Sequence, residues 1–533
     1  MRPSSRLLGL SIGILFTTCI FAEDEGFKSI FDGKTLKGWD GNPELWRAED
    51  GAITGQTTPE KPTKGNTFII WREGSTVDDF ELKLEYKIVG GNSGVQYRSF
   101  EAEERWVVGG YQADIDSTER YSGILYGERE RGILAERGQK TTIGEDHKPK
   151  VTSSLGDAKD LQGKIKKEDW NEYHLIAKGN HFTHKINGVV MSDITDEDKP
   201  AAGNGPGRRS NGILAFQLHA GPPMKVQFRN VRLKRTPLEG AKKVVFVAGH
   251  ASHGFGAHDH KSGCYLFKKH LEESGLGIVG AVYHPDWPSD PTFLDNANAL
   301  VIYSDGGGGA HPANQHVEEI MSLAKKGLGI GFIHYGVEVE KGKVGDAFLD
   351  WTGGYFEMNW SVNPHWTIKD AVLAKDHPIT RGVKPYSVND EWYFHMRFRD
   401  KMDGVTPILS AVAPADTMSR PDGTHSGNPT VRESVQHGDL QHLVWARQRP
   451  DGGRGFGFTG GHDHWNWGHP MHRRLALNAI AWIAGVEVPA GGVMDKPVTM
   501  DELLSNHDEE IPKNFDKAAI QKRIDAWVSE SSK

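Results

Sequence analysis

The chain has 533 residues, 37% of them hydrophobic and 25% charged, with 15 Trp, enough apolar material for several packed cores and too much for a disordered chain. Its formal net charge is -8 at pH 7 and no Lys/Arg cluster breaks the acidic balance, which argues against nucleic acid or an anionic membrane as the main partner. Gly (64) and Pro (26) make it rich in turns, and most of its 25 His fall in the second half.

Residues 1–22 read as a secretory leader: Arg2 and Arg6 give a positive start, Leu7 to Ile20 an apolar run, and Ala22 a small residue before Glu23-Asp24-Glu25. Export to the periplasm or the extracellular space is expected. No later run of about 20 apolar residues exists, so no transmembrane segment is expected. Cleavage removes Cys19 and leaves Cys264, which excludes an intramolecular disulfide and a Cys-based metal site.

From Gly26 to Leu233 the pattern is one of short strands with period two. Phe80, Leu82, Leu84, Tyr86 and Ile88 share one face, and Gly90-Gly91-Asn92-Ser93 turns the chain into the next strand. Further strands are expected at Trp170 to Ala177, His181 to Val190, Ile213 to His219 and Met224 to Arg232. No long amphipathic helix intervenes, so residues 23–234 are predicted to form an antiparallel β-sandwich. Alternation places Gln96 with Arg98, Gln112 with Asp114, and Gln217 with His219, while Glu85 lies on the polar face of the preceding strand. Repeated Gln among carboxylates and imidazole suits a polyhydroxylated ligand, since each group offers directed donors and acceptors. The plain alternative is a solvent-facing sheet with cross-strand ion pairs.

The opening Gly26-Phe27-Lys28-Ser29-Ile30-Phe31-Asp32-Gly33-Lys34-Thr35-Leu36-Lys37-Gly38-Trp39 resembles that of the 3-keto-disaccharide hydrolase (3-keto-glucoside lyase/hydratase) family. So do Gly90-Gly91-Asn92-Ser93-Gly94, Gly110-Tyr111-Gln112, His184 to Val189 and Phe228-Arg229-Asn230, a resemblance spanning about 26–234. It implies a concanavalin-like jelly roll acting on glycosides already oxidised at sugar C3, with a divalent metal ion. A C3 ketone acidifies the C2 proton; a base removes it, the enolate expels the C1 oxygen, and water adds back. Glu85, Asp114 and His219 are the candidates for base, acid or metal ligand, Arg98 for electrostatic stabiliser, and Gln96, Gln112 and Gln217 for substrate binding.

Residues 235–241 read as a linker, and the grammar then changes. Val244 to Gly249, Leu300 to Tyr303, Ile330 to Ile333 and Gly455 to Gly460 are short, continuously apolar strands, with helices at Cys264 to Glu273, Val317 to Lys326 and Arg473 to Ala484. Alternation of strand and helix predicts a parallel α/β sheet over 242–490, with 345–440 as irregular decoration and 491–533 as a loose, acidic helical tail. Gly306 to Gly309 lacks both the P-loop Lys-Ser/Thr and the dinucleotide spacing, so no nucleotide cofactor is expected.

In such sheets ligands bind beyond the carboxyl ends of the strands. There stand His250, His253, His258 and His260, then Asp305 and His311, then His334, then His462, Asp463 and His464. Residues two apart in an extended loop point the same way, so His258 with His260 and His462 with His464 are the expected metal ligands. His377 to Gly382, Asp390-Glu391-Trp392-Tyr393 and Gly460-Gly461-His462 resemble the ThuA-like (trehalose utilisation) family over about 242–488, which implies a flavodoxin-like fold related to class I glutamine amidotransferases. His253, Asp305, His334, Asp390, Glu391 and Tyr393 are the crevice candidates. Where amidotransferases place a nucleophilic Cys, this chain has Ile333-His334-Tyr335-Gly336, so thiol chemistry is not expected. The combined expectation is a carbohydrate-catabolic enzyme cleaving 3-keto-glycosides, with the ThuA-like half acting on related keto-sugars. The alternative is a non-catalytic carbohydrate-binding sandwich beside a catalytic ThuA-like half.

Overall fold

The computed structural model describes residues 25–531 apart from 75 and 286; the expected leader lies outside them. Residues 26–235 form two sheets packed face to face, one of ten strands and one of seven. In the larger sheet the central strand Phe80–Val89 alternates buried and half-exposed residues, as a strand covered on one side must. It pairs antiparallel with Asn171–Lys178 on one side and Lys225–Arg235 on the other. Leu82, Leu84, Tyr86, Leu175, Phe182 and Phe228 meet Val95, Tyr97, Tyr111 and Phe216 of the smaller sheet in one core. Phe216 stacks on Phe228 at 4.1 Å between ring centroids, and burying each such ring stabilises the fold by roughly 1.5–3 kcal/mol.

The smaller sheet is largely buried on both faces: every residue of its strand Val108–Asp116 is buried, with Asp114 and Asp116 keeping a few per cent of exposure. One face supplies the core and the other carries the polar residues. Gly94 stands opposite Asp114, where a Cβ would come within 2.5 Å of the Gln112 side chain. Only glycine leaves room for Gln112 to lie across the sheet there.

Residues 242–490 contain an eight-stranded sheet. Its parallel part runs Ile278–Tyr283, Lys242–Ala248, Ala299–Tyr303, Gly329–Ile333, Arg454–Phe458 across the sheet, a 2-1-3-4-5 order. Helices His260–Glu273 and Pro470–Ile483 cover one face, and Ala313–Ala324 and Lys343–Trp351 the other. Two differences from the sequence reading have local causes. The strand Ile278–Tyr283 escapes that reading because Gly280 breaks its apolar run; a Cβ there would strike Lys268 of the covering helix at 2.6 Å. The stretch read as irregular holds Val405–Val412, and Leu440–Gln448 follows at its end; both extend the sheet antiparallel, and Pro407 and a bulge at Pro407–Leu409 hide the first from any periodicity count.

The tail is not loose. Ile524 is 2% exposed and packs on Gly468, Arg523 pairs with Asp463 at 3.1 Å, and Phe515 packs on Phe255 and Trp465. Between the two halves, Arg235 and Asp290 form an ion pair at 2.9 Å with both side chains fully buried, and Asp78 accepts from Lys243 at 2.8 Å and Asn296 at 2.9 Å.

Candidate functional site

On the outer face of the seven-stranded sheet lies a cleft of about 610 Å³. Its walls include Asn66, Asn92, Gln112, Asp114, Glu128 and His219. Register explains the grouping: Gln112 pairs with Gln96 on one neighbouring strand and with Tyr126 on the other, and Gly110 with Glu128. Gln112 is the hub. Its Nε2 donates to Asp114 Oδ1 at 2.6 Å, and its Oε1 accepts from Gln96 Nε2 at 2.7 Å. Glu128 accepts from Asn66 Nδ2 at 3.1 Å and Gln217 Nε2 at 3.3 Å. Burial raises the Asp114 pKa well above the carboxylate range, the Gln112 hydrogen bond opposes this, and the nearby Glu128 charge adds to it. His219 Nδ1 donates to the Ala220 carbonyl at 2.5 Å, which leaves its Nε2 with the lone pair.

Of the residues expected to share this hollow, Gln112, Asp114 and His219 line it. Gln96 and Gln217 are wholly buried behind Gln112 and hold it in place. Arg98 does not belong to it. A bulge between Tyr97 and Phe100 gives Arg98 a φ of 45° and turns the side chain inward, where it pairs with Asp79 at 2.6 Å and donates to the Asp78 and Gly179 carbonyls. Glu85 is also elsewhere: its strand belongs to the other sheet, and its carboxylate pairs with Arg229 at 2.6 Å and accepts from Asn230.

In the α/β half, the loops after the parallel strands meet over the switch point of the 2-1-3-4-5 order. The loop after Ala248 and the loop after Phe458 bond backbone to backbone, through His258 N to His462 O at 3.0 Å and His464 N to Gly256 O at 2.9 Å. That pairing brings His258 and His462 together. His334 follows the fourth strand of the series, and Glu391 comes from the short strand pair beside it. One donor atom from each of these four residues lies within 4.8 Å of the others. His334 Nε2 is 3.0 Å from His258 Nε2 and 3.5 Å from Glu391 Oε2, and Glu391 Oε2 is 3.1 Å from His462 Nδ1. The Tyr393 hydroxyl reaches His334 Nε2 at 3.2 Å and Glu391 Oε2 at 3.3 Å.

Two of the rings are fixed from behind. His334 Nδ1 donates to the Thr459 carbonyl at 2.8 Å, and His258 Nδ1 faces Asp305 Oδ1 at 2.8 Å. His258, His334 and the neighbouring His253 all have positive φ (46°, 53° and 67°), a conformation non-glycine residues adopt only where surrounding structure enforces it. Burial pushes the His258 pKa down to about 3 against the pull of Asp305, and His334 and His462 push it the same way. Burial would raise Glu391, but the neighbouring His334 and His462 rings hold it well below the usual range.

Two expected metal ligands fall outside the cluster. His260 begins a helix and His464 a 3₁₀ turn, so the two-residue alternation ends at Asp259 and Asp463. His260 Nδ1 donates to the His250 carbonyl, and His464 faces Ser262 and the Leu503 carbonyl. Asp390 does not face the cluster either; it accepts from the backbone amides of Gly461 and His462 and shapes the loop carrying His462. His253 stacks on His258 at 4.1 Å from the exposed side.

Residues 26–234 match the family model described as 3-keto-alpha-glucoside-1,2-lyase-like domain, and residues 243–483 match that of trehalose utilisation, ThuA. The first match covers the sandwich and the second the α/β sheet. The lyase-like part is similar to a 3-keto-disaccharide hydrolase of Bacteroides thetaiotaomicron, 28% identical over 245 residues that cover 39% of this chain and 78% of that protein. Among solved structures, a thua-like protein of Bacteroides uniformis is 17% identical and covers 46% of this chain and 92% of its own (TM-score 0.33). The carbohydrate binding module CBM66 of Bacillus subtilis is 15% identical and covers 37% and 95% (TM-score 0.24).

The cleft is also lined by residues that sequence reasoning passed over: Asn66, Asn92, Tyr126 and Glu128. Tyr126 and Glu128 share a face of the strand Leu125–Glu128, and that alternation was the available signal. In the ThuA domain the overlooked contributors are Ser252, which donates to Asp305 at 2.9 Å, and the Thr459 carbonyl, which no sequence pattern marks.

Proposed function

We propose that the lyase-like domain cleaves 3-keto-glycosides by removing the C2 proton, expelling the C1 oxygen and hydrating the product. The observation that carries this reading is the cleft in which an imidazole with an available Nε2 and a buried carboxyl, its pKa raised by that burial, line one hollow. His219 serves as the base at C2, and Asp114 gives its proton to the departing oxygen. Gln112 orients Asp114 through its amide, Gln96 and Gln217 hold Gln112, and Asn66 and Asn92 are placed to accept or donate to sugar hydroxyls. The relative's printed name, 3-keto-disaccharide hydrolase, supports the substrate class. The ThuA domain, in this reading, acts on related keto-sugars, and its 2-1-3-4-5 strand order supports the flavodoxin-like assignment.

The test is turnover of an aryl 3-keto-glucoside by the full chain, followed by aglycone release. The unaltered protein should release aglycone, and Asp114→Asn and His219→Ala should each lose about 10²–10⁴-fold in rate with unfolding midpoints unchanged. Saturable binding without release by the unaltered protein would make the sandwich a carbohydrate-binding module and refute the lyase reading.

A further inference from the structure

We propose that the ThuA domain binds one first-row divalent transition-metal ion, of the zinc type, through His258, His334, His462 and Glu391. This goes beyond the lyase reading and does not depend on it.

The argument starts from protons. The Thr459 carbonyl can only accept, so His334 Nδ1 carries its hydrogen. His258 Nδ1 lies 2.8 Å from a carboxylate oxygen of Asp305, so it carries its hydrogen too. In the neutral rings both Nε2 atoms then hold lone pairs, and these face each other at 3.0 Å with both side chains buried. Two acceptors at that distance repel unless something positive lies between or beside them. The Tyr393 hydroxyl, 3.2 Å from His334 Nε2, can donate to one of them; a proton shared between the rings or a metal ion can serve both.

Four features favour the ion. First, the positive centre is shared by more than two rings: His462 Nδ1 and Glu391 Oε2 lie in the same cluster, and a single proton cannot bridge four donors. Second, two rings are backed by hydrogen-bond acceptors on the far nitrogen, the arrangement that fixes tautomer and raises ligand basicity at metal centres. Third, the backbone holds His258 and His334 at positive φ, which sets the direction in which both rings leave their loops. Fourth, three imidazoles with one carboxylate are the borderline donors that zinc and its neighbours prefer over calcium or magnesium.

Other groupings carry less. His250, His284 and Asp508 also lie within reach of one another, but the Asp508 carboxylate is already met by the Lys261 ammonium at 3.0 Å. The Tyr393 hydroxyl, in contact with both His334 and Glu391, is placed to donate to an oxygen ligand that joins them at the ion.

The experiment uses the full chain stripped with a chelator and titrated with Zn²⁺ against a chromophoric competitor, then with Co²⁺ while the visible spectrum is recorded. One tight Zn²⁺ per chain and a tetrahedral-type Co²⁺ spectrum are expected. His462→Gln, at a half-buried position that tolerates the change, should weaken Zn²⁺ binding at least 10-fold, and His334→Ala with Glu391→Gln should abolish the Co²⁺ band. His316→Ala, whose ring lies outside the cluster, should leave both unchanged. Absence of tight Zn²⁺ or Co²⁺ binding by the folded, stripped protein would overturn the proposal, as would a His462→Gln titration indistinguishable from that of the unaltered chain. Because the readout is metal binding, that failure would leave the lyase reading standing.

Discussion

The two candidate sites hold polar groups in opposite ways. In the lyase-like domain they stand on adjacent strands and satisfy one another: Gln96, Gln112, Gln217 and Glu128 form a chain of donors and acceptors, and burial raises the Asp114 pKa beside them. In the α/β domain they stand on loops, and on the proposal above acceptor confronts acceptor where the His258 and His334 Nε2 atoms lie 3.0 Å apart. The difference teaches where to look for a missing partner. A saturated network calls for a neutral, hydroxyl-rich ligand that trades hydrogen bonds, while a frustrated one calls for a cation.

Three measurements sharpen that contrast. The largest effect is expected at the seam between the halves. Arg235→Ala leaves the Asp290 charge buried without its partner and should cost about 3–5 kcal/mol in urea unfolding, which would show that the two sites share one cooperative unit. Unfolding that stays at the original midpoint would instead make the halves independent. Next, Asp305→Asn removes the acceptor behind His258 and should weaken Zn²⁺ affinity about 10–100-fold while leaving turnover in the lyase-like cleft untouched. An equal effect on both would mean the sites are coupled.

The smallest effect concerns acid. Burial lowers His311 and His472 to about 4 and His469 to about 3, so in the ThuA domain these rings are neutral when folded and charged when unfolded below the ordinary value of 6.5. The unfolded chain therefore binds more protons, and stability falls as pH drops from about 6.5 toward 4, by roughly 1–2 kcal/mol per ring at about pH 5. The lyase-like domain has one comparable ring, His184, lowered to about 3, and its raised Asp114 works the other way, gaining stability on acidification. Proteolysis pulses read by mass spectrometry at about pH 7 and about pH 5 should show cuts within 242–490 rising first.

Sequence legibility followed the same divide. Period two located Phe80–Val89 and paired Gln112 with Asp114 because strand alternation is local. It failed at Arg98, where a bulge reverses the side chain, and at Glu85, because alternation says nothing about which sheet a strand joins. In the ThuA domain the strand ends told where the histidines gather. Which of them converge was decided by the pairing of two loops 200 residues apart in sequence and by the helix starts at His260 and His464. Nothing local encodes those.

A later stretch of chain clasps the crevice. Leu503 and Ser505 carbonyls accept from His464 and Ser262, His507 pairs with Asp259, and Arg523 pairs with Asp463. The partners of these groups flank His258 and His462, so one segment ties both histidine-bearing loops from outside the sheet. The strands and helices of the α/β sheet precede that segment in sequence, so they can assemble while the two loops still lack their clasp.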